Sequence, residues 1–344
     1  MTARPGWHIV HRGWLAASLL AAMLAMPSVR AAGELLPADL GPAAAIASLA
    51  PLSGFASQEF DWLDTSRQRL VPVRLHLPEG ASAAHPVPLV VFSHGIGGSR
   101  RGYSYLGQYW ASQGYASLHL QHVGSDRAVW TGNPLAMIGR LQAAAQESEA
   151  VNRVKDLRFA LDQLLLSDLA PLIDARRIVA AGHSYGANTT LLAVGARVER
   201  AGELLDFRDP RLKAAIVISA PPFYGEQMAE RILGGIVVPT LHITATEDVI
   251  RVPGYYSPAS DRLAVFDATG GGDKTLAVFT GGSHSIFTDR GGTGGAALNP
   301  QVKRATQALS LAFLRRVFDG DDSGLQQWPG RFAPLLSRYS PAPH

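Results

Sequence analysis

Short apolar runs that are continuous rather than alternating recur along this chain, and they restrict its fold more than any other feature. They lie at residues 70–77, 88–92, 116–120, 177–181, 214–219, 240–244 and 275–280, mostly as unbroken Val, Ile, Leu, Ala and Phe. A strand with one wet face alternates polar and apolar residues, whereas a strand covered on both faces has no reason to. Helical spacing fills the gaps. Residues 140–166 place Val151, Val154, Leu157, Leu161 and Leu164 at three- and four-residue steps, and residues 300–318 do the same with Leu309, Ala312, Phe313 and Val317. Strand and helix alternate from about residue 85 to 320. That order predicts an α/β fold with a doubly wound, mostly parallel sheet flanked by helices.

The first residues have a different purpose. Arg4 and Arg12 precede a run of apolar and small residues at 15–26 (LAASLLAAMLAM), and Val29-Arg30-Ala31 follows as a small-x-small pattern. This is the layout of an export signal cut near Ala31, so residues 1–31 read as a signal peptide and the product as periplasmic or secreted. The run is shorter than the roughly 20 residues that span a bilayer, and no cysteine offers a lipid site. No stable membrane anchor is expected after cleavage. The segment's three arginines, with no acid among them, account for the whole formal charge of +3. The remainder is neutral and gives no argument for nucleic acid as a partner. Absent cysteine also excludes disulfides and thiol nucleophiles. Residues 32–58 read as a loose lead-in and 59–344 as one catalytic domain, with 270–272 and 291–295 as glycine loops and 329–344 as a surface tail.

Gly182-His183-Ser184-Tyr185-Gly186 is the one GxSxG in the chain. It follows the strand-like run 177–181 and opens the helix-like segment 187–194. A nucleophile elbow needs that strand–turn–helix setting, because it holds the serine on a strained turn where flanking Cβ atoms would collide. The bland alternative is an ordinary turn with an N-capping serine. A serine hydroxyl attacks only once a base takes its proton. Partners on such an elbow follow in the order serine, acid, histidine. After Ser184, only His284 and His344 leave room for an acid between, since His242 falls inside a strand and ahead of the best acid. His284 ends the run 275–283 as it passes into a loop, which makes it the candidate base. Asp248, just past the strand 240–244, is the candidate acid, ahead of Glu247, Asp261 and Asp267. It would fix the imidazole tautomer and stabilise the imidazolium.

The loop Phe92-Ser93-His94-Gly95-Ile96-Gly97-Gly98 follows another strand. It is placed to give one backbone N–H to a tetrahedral oxyanion, assigned to Ile96 with Gly95 as the alternative, and Tyr185 would give the second. Each such donor contributes roughly 3 kcal/mol to the transition state. A phosphate-gripping loop is disfavoured, since no GK[ST] follows.

The stretch FSHGIGGSRRGYSYLGQYWASQGYASLHLQHVGSD, together with AAGHSYGANT, resembles the platelet-activating-factor acetylhydrolase group and the bacterial proteins labelled predicted dienelactone hydrolases, over roughly residues 60–290. The resemblance implies an α/β-hydrolase fold and calcium-independent hydrolysis of short or accessible acyl esters, with oxyanion donors at Ile96 and Tyr185. Two departures matter. Where the acetylhydrolases carry their acid, this chain reads Ile218-Ser219-Ala220-Pro221-Pro222, which moves the acid one strand later to Asp248. Dienelactone hydrolases proper use a cysteine, and this chain has none.

The substrate is less legible. Residues 219–239 are too short for a large lid. His122, Phe223 and Tyr255 are candidate substrate contacts, with Trp130, Tyr224 and Tyr256 as further aromatics near the expected mouth, any of which could equally be core. A small-molecule or lipid-like ester is the expected partner, and no cofactor is called for. Amide cleavage on the same triad and non-catalytic ligand binding are the rivals. Metal-dependent hydrolysis ranks last, without HExxH or clustered ligands.

Overall fold

The computed structural model describes residues 54–223, 228–252, 255–291 and 295–342. The expected signal peptide, most of the lead-in, Tyr224 and His344 lie outside the described residues. Among the described residues thirteen strands occur in chain order: β1 Phe55–Asp64, β2 Arg69–Pro78, β3 Val87–Ser93, β4 Ala116–Leu120, β5 Ile173–His183, β6 Arg197–Arg200, β7 Glu203–Asp206, β8 Leu212–Ile218, β9 Thr240–Glu247, β10 Ile250–Val252, β11 Tyr255–Ser257, β12 Lys274–Ser283 and β13 Leu336–Ser340. Nine form one sheet in the order β1-β2-β4-β3-β5-β8-β9-β12-β13. Its middle, from β4 to β12, is parallel throughout, and the pairs β1–β2, β2–β4 and β12–β13 are antiparallel. The strands β6–β7 and β10–β11 are separate small hairpins.

All seven apolar runs became strands of this sheet, and β3 shows why they do not alternate. Leu89 and Val91 enter the core on one face, while Val90 and Phe92 enter it on the other. Helices α1 Ser104–Ser112, α2 Pro134–Ala144, α3 Glu147–Leu166, α4 Tyr185–Val194, α5 Ala229–Leu233, α6 Ser260–Ala268, α7 Leu298–Asp319 and α8 Ser323–Phe332 complete the chain. On the first face Val154, Leu157, Leu161 and Leu164 of α3 pack with Leu191 of α4. On the second, Trp110 of α1 meets Leu309 and Phe313 of α7. Each fully buried side chain of this size contributes about 1.5–3 kcal/mol, so both faces are held by apolar burial. Among the described residues no helix is long and apolar enough to cross a membrane.

Three expectations are corrected. Residues 140–166 are not one helix: α2 ends at Ala144, Gln146 is extended, and α3 restarts with Glu147 and Glu149 in its first turn, where helix N-termini favour acids. Pro134 and the Asn133 cap also start α2 earlier than spacing suggested. The lead-in ends sooner than residue 58, because β1 opens at Phe55 and pairs in register with Pro78. The tail 329–344 is not merely laid over the surface, since β13 pairs with Leu276 to Phe279 of β12 and forms the sheet's edge.

Candidate active site

Strand β5 runs through the sheet centre and ends at His183, and the next residue turns sharply into α4. Ser184 has φ 55° and ψ −124°, a conformation that costs a non-glycine residue of order 1–3 kcal/mol and survives only where the surroundings impose it. The flanking glycines are obligatory. A Cβ on Gly182 would lie 2.2 Å from the Gly186 carbonyl oxygen, and one on Gly186 would lie 1.9 Å from that of Ser93. The Ser184 N–H donates to the Ile218 carbonyl at 2.9 Å, tying the elbow to β8.

His284 begins the short 3-10 turn His284–Phe287 at the end of β12. Its Nε2 lies 2.8 Å from Ser184 Oγ and its Nδ1 2.7 Å from Asp248 Oδ1. With Nδ1–H donating to the carboxylate, Nε2 is left to accept the serine proton. Asp248, wholly buried, follows β9. Its Oδ2 accepts from Ser219 Oγ at 2.5 Å and from Thr244 Oγ1 at 2.7 Å, and Arg262 Nε stands 3.7 Å from Oδ1. Burial opposes ionisation of Asp248, but His284, Arg262 and Ser219 outweigh it and hold the carboxyl well below the usual range. The structure therefore brings together all three residues chosen from the sequence. Ser219, which stands after β8 where the acetylhydrolase pattern has its acid, now supports the displaced one.

The two proposed oxyanion donors are also free. Among the described residues the backbone N–H groups of Ile96 and Tyr185 have no hydrogen-bond acceptor, whereas Gly95 N–H donates to Tyr103 Oη at 3.3 Å. Gly95, the alternative donor, is thus already engaged. Tyr103 then donates to His183 Nδ1 (2.8 Å), and His183 Nε2–H donates to the His284 carbonyl (3.0 Å). A chain of three hydrogen bonds thus links the oxyanion loop to the backbone of the base. Burial, with His284 beside it, pushes His183 down to about 3 and keeps it neutral.

The substrate candidates fare differently. His122 is corrected: it is wholly buried, with Nδ1 3.1 Å from Asp156 and Nε2 3.1 Å from Ser93, and it lines no rim. Phe223 is half-buried against the first core face, and Tyr255 is half-buried in the β10–β11 hairpin opposite Val252. Tyr256 is exposed beside Arg251. Trp130 rests directly on the oxyanion loop. Its Nε1 donates to the Gly97 carbonyl at 3.1 Å, and its ring, 42% exposed, fills the space a Cβ on Gly97 would need. Among the described residues no group of three metal-ligating side chains is placed to hold an ion. Sequence reading missed Tyr103, His183, Ser219, Arg153 and Arg262; only the position of His183 inside the motif offered a signal.

The strand order and the sharp turn at Ser184, with His284 and Asp248 just past the ends of later strands, decide the architecture. This is an α/β-hydrolase fold. A family model described as platelet-activating factor acetylhydrolase, isoform II, matches residues 77–134, which include the oxyanion loop and Trp130. The resemblance seen in the sequence is thereby shown over that stretch. Among solved structures, the ferulic acid esterase from Streptomyces cinnamoneus is similar to this chain with a TM-score of 0.59 and 23% identity, covering 80% of this chain and 93% of that one. No curated protein sequence matches significantly.

Proposed function

We propose that this α/β-hydrolase is an exported serine hydrolase that cleaves carboxylic esters through Ser184, His284 and Asp248. One observation carries the reading. A single imidazole bridges the hydroxyl of a serine on a strained elbow and a buried, ionised carboxylate, at 2.8 and 2.7 Å. Similarity to the platelet-activating factor acetylhydrolases over residues 77–134, and in fold to a ferulic acid esterase, favours an ester over an amide.

His284 Nε2 takes the Ser184 proton as Oγ attacks the acyl carbon, and the carbonyl electron pair moves onto oxygen. The N–H groups of Ile96 and Tyr185 receive that charge. Collapse of the tetrahedral species expels the alcohol, which leaves with the proton from Nε2. Water then gives a proton to the same nitrogen as its oxygen attacks the acyl-enzyme, and collapse of this second tetrahedral species releases the acid while Nε2 returns the proton to Ser184 Oγ. Asp248 stays ionised throughout.

The test is turnover of p-nitrophenyl esters from two to sixteen carbons by wild type and Ser184→Ala. A loss of about 10⁴-fold or more is expected for the variant; equal inertness of both proteins on every ester would end the reading. Export rests on the charged start and apolar run of residues 1–31, and N-terminal sequencing of the mature protein should begin near Ala32.

A further inference from the structure

Arg153 on α3 is wholly buried, and among the described residues it has no carboxylate within salt-bridge distance. Burying a guanidinium without an ion pair is costly, so what this one touches needs a reason. Its Nε donates to Thr189 Oγ1 of α4 at 2.9 Å, and Thr189 Oγ1 donates in turn to the Tyr185 carbonyl at 3.1 Å. Its Nη1 donates to Ser125 Oγ at 2.8 Å, and its Nη2 donates to the His94 carbonyl in the oxyanion loop. The guanidinium carbon also stands 4.5 Å from the centre of the Tyr185 ring. The Tyr185 hydroxyl is buried without a hydrogen bond, so the ring is located by this cation rather than by its own polar end.

These contacts fall on both halves of one device. His94 lies two residues before Ile96, whose N–H is free, and Tyr185 carries the other free N–H. We propose that Arg153 is the positioning residue of the oxyanion hole, holding the loop after β3 and the first turn of α4 at the separation at which their two N–H groups converge on one oxygen. Burial lowers Arg153 to about 10, so it stays a cation in the neutral range and its fixed charge adds to the field on the developing oxyanion. A sheet-and-helix pin without that role would need no contact with the loop carbonyl. The role rests on the ester-hydrolysis reading given above.

The experiment compares wild type with Arg153→Met, which keeps the stem, and Arg153→Lys, which keeps the charge. Each is assayed on a p-nitrophenyl ester and on its thionoester, whose sulfur makes poor use of N–H donors. For Arg153→Met, kcat on the ester should fall about 10²-fold with KM within a factor of about three. The ester-to-thionoester rate ratio should shrink by a similar factor, and Arg153→Lys should regain about tenfold. A defect in the triad would lower both rates together and leave the ratio unchanged, and that result would overturn the proposal, as would a folded Arg153→Met with wild-type kcat. If Arg153→Met does not fold, the ratio in Arg153→Lys decides. A second readout needs no turnover. The amide N–H signals of Ile96 and Tyr185 should shift in either variant and stay in place in Arg176→Met, a control whose side chain is 90% exposed. Inertness of wild type on all esters would defeat the hydrolase reading, while unmoved amides would defeat the Arg153 role.

Discussion

Among the described residues a hydrogen-bonded Ser–His–Asp set occurs twice. In the first, His284 stands between Ser184 and Asp248; in the second, His122 stands between Ser93 and Asp156, with both hydrogen bonds at 3.1 Å. Residue types and bonding pattern are the same, yet the surroundings diverge. Ser184 sits on a strained turn beside two free N–H groups, and the side chain of His284 is 19% exposed. Ser93 is the last residue of a regular strand, and all three members of its set are wholly buried. Asp156 is further occupied by Arg67 at 2.9 Å and Arg69 at 2.8 Å. Burial, with Arg153 nearby, pushes His122 down to about 3, while His122 and Arg69 overcome burial to hold Asp156 at about 2. The two sets therefore differ in access and in the donors beside the serine, since Ser184 is half-buried and Ser93 wholly so. The sealed set spends the same chemistry on holding the oxyanion loop to β4 and α3.

The contrast can be broken by exchanging perturbations between the two sets. Asp248→Asn should lower kcat about 10⁴-fold, through loss of the correct imidazole tautomer, so that its main readout is turnover. Asp156→Asn should do the reverse. It leaves two arginines short of their carboxylate and should cost about 2–4 kcal/mol of stability, read by urea unfolding, while the folded enzyme keeps kcat within about tenfold. Crossed outcomes would show that the sealed set takes part in turnover.

Acid stability sharpens the comparison. His119, His122, His183 and His242 are all held down to about 3, in each case first by burial. Their folded values lie below the unfolded value of about 6.5, so between about pH 6.5 and 3 the unfolded chain binds protons that the folded one refuses. Stability is complete above that window and falls as pH drops through it. Each histidine contributes a slope of up to about 1.4 kcal/mol per pH unit. Replacing His122 with Gln should flatten the dependence of unfolding free energy on pH by about one proton; an unchanged slope would mean that His122 is protonated in the fold.

The smallest effect concerns the open set's rim. Trp130 offers an exposed indole on the oxyanion loop, so Trp130→Ala should raise KM for longer acyl esters by about three- to tenfold, an effect of about 1 kcal/mol. A uniform change at every chain length would place the indole in loop support alone.

Much of this was legible in the sequence, and the reasons are local. The apolar runs announced their strands because two covered faces leave no room for alternation. Ser184 announced itself through glycines that the packing requires on either side. Asp248 and His284 followed from chain order. Other features depend on distant chain. Arg153 lies one residue before Val154 on a helix whose stripe reads as apolar, and its partners come 28 to 59 residues away. The break at Gln146 separates two stretches that share one periodicity. His122 looked like a rim residue because it follows a strand end, as His284 does. What differs is the helix that covers it.

The strand that carries the base toward the site would be the sheet's last without β13, a five-residue strip near the C-terminus. Leu276 to Phe279 would then present bare backbone groups and apolar side chains along an open edge, a template for other chains to add themselves. Proteolytic clipping before Leu336 would thus cost more than a tail. It would expose an aggregation-prone border in a molecule whose Ser184, His284 and Asp248 were still present.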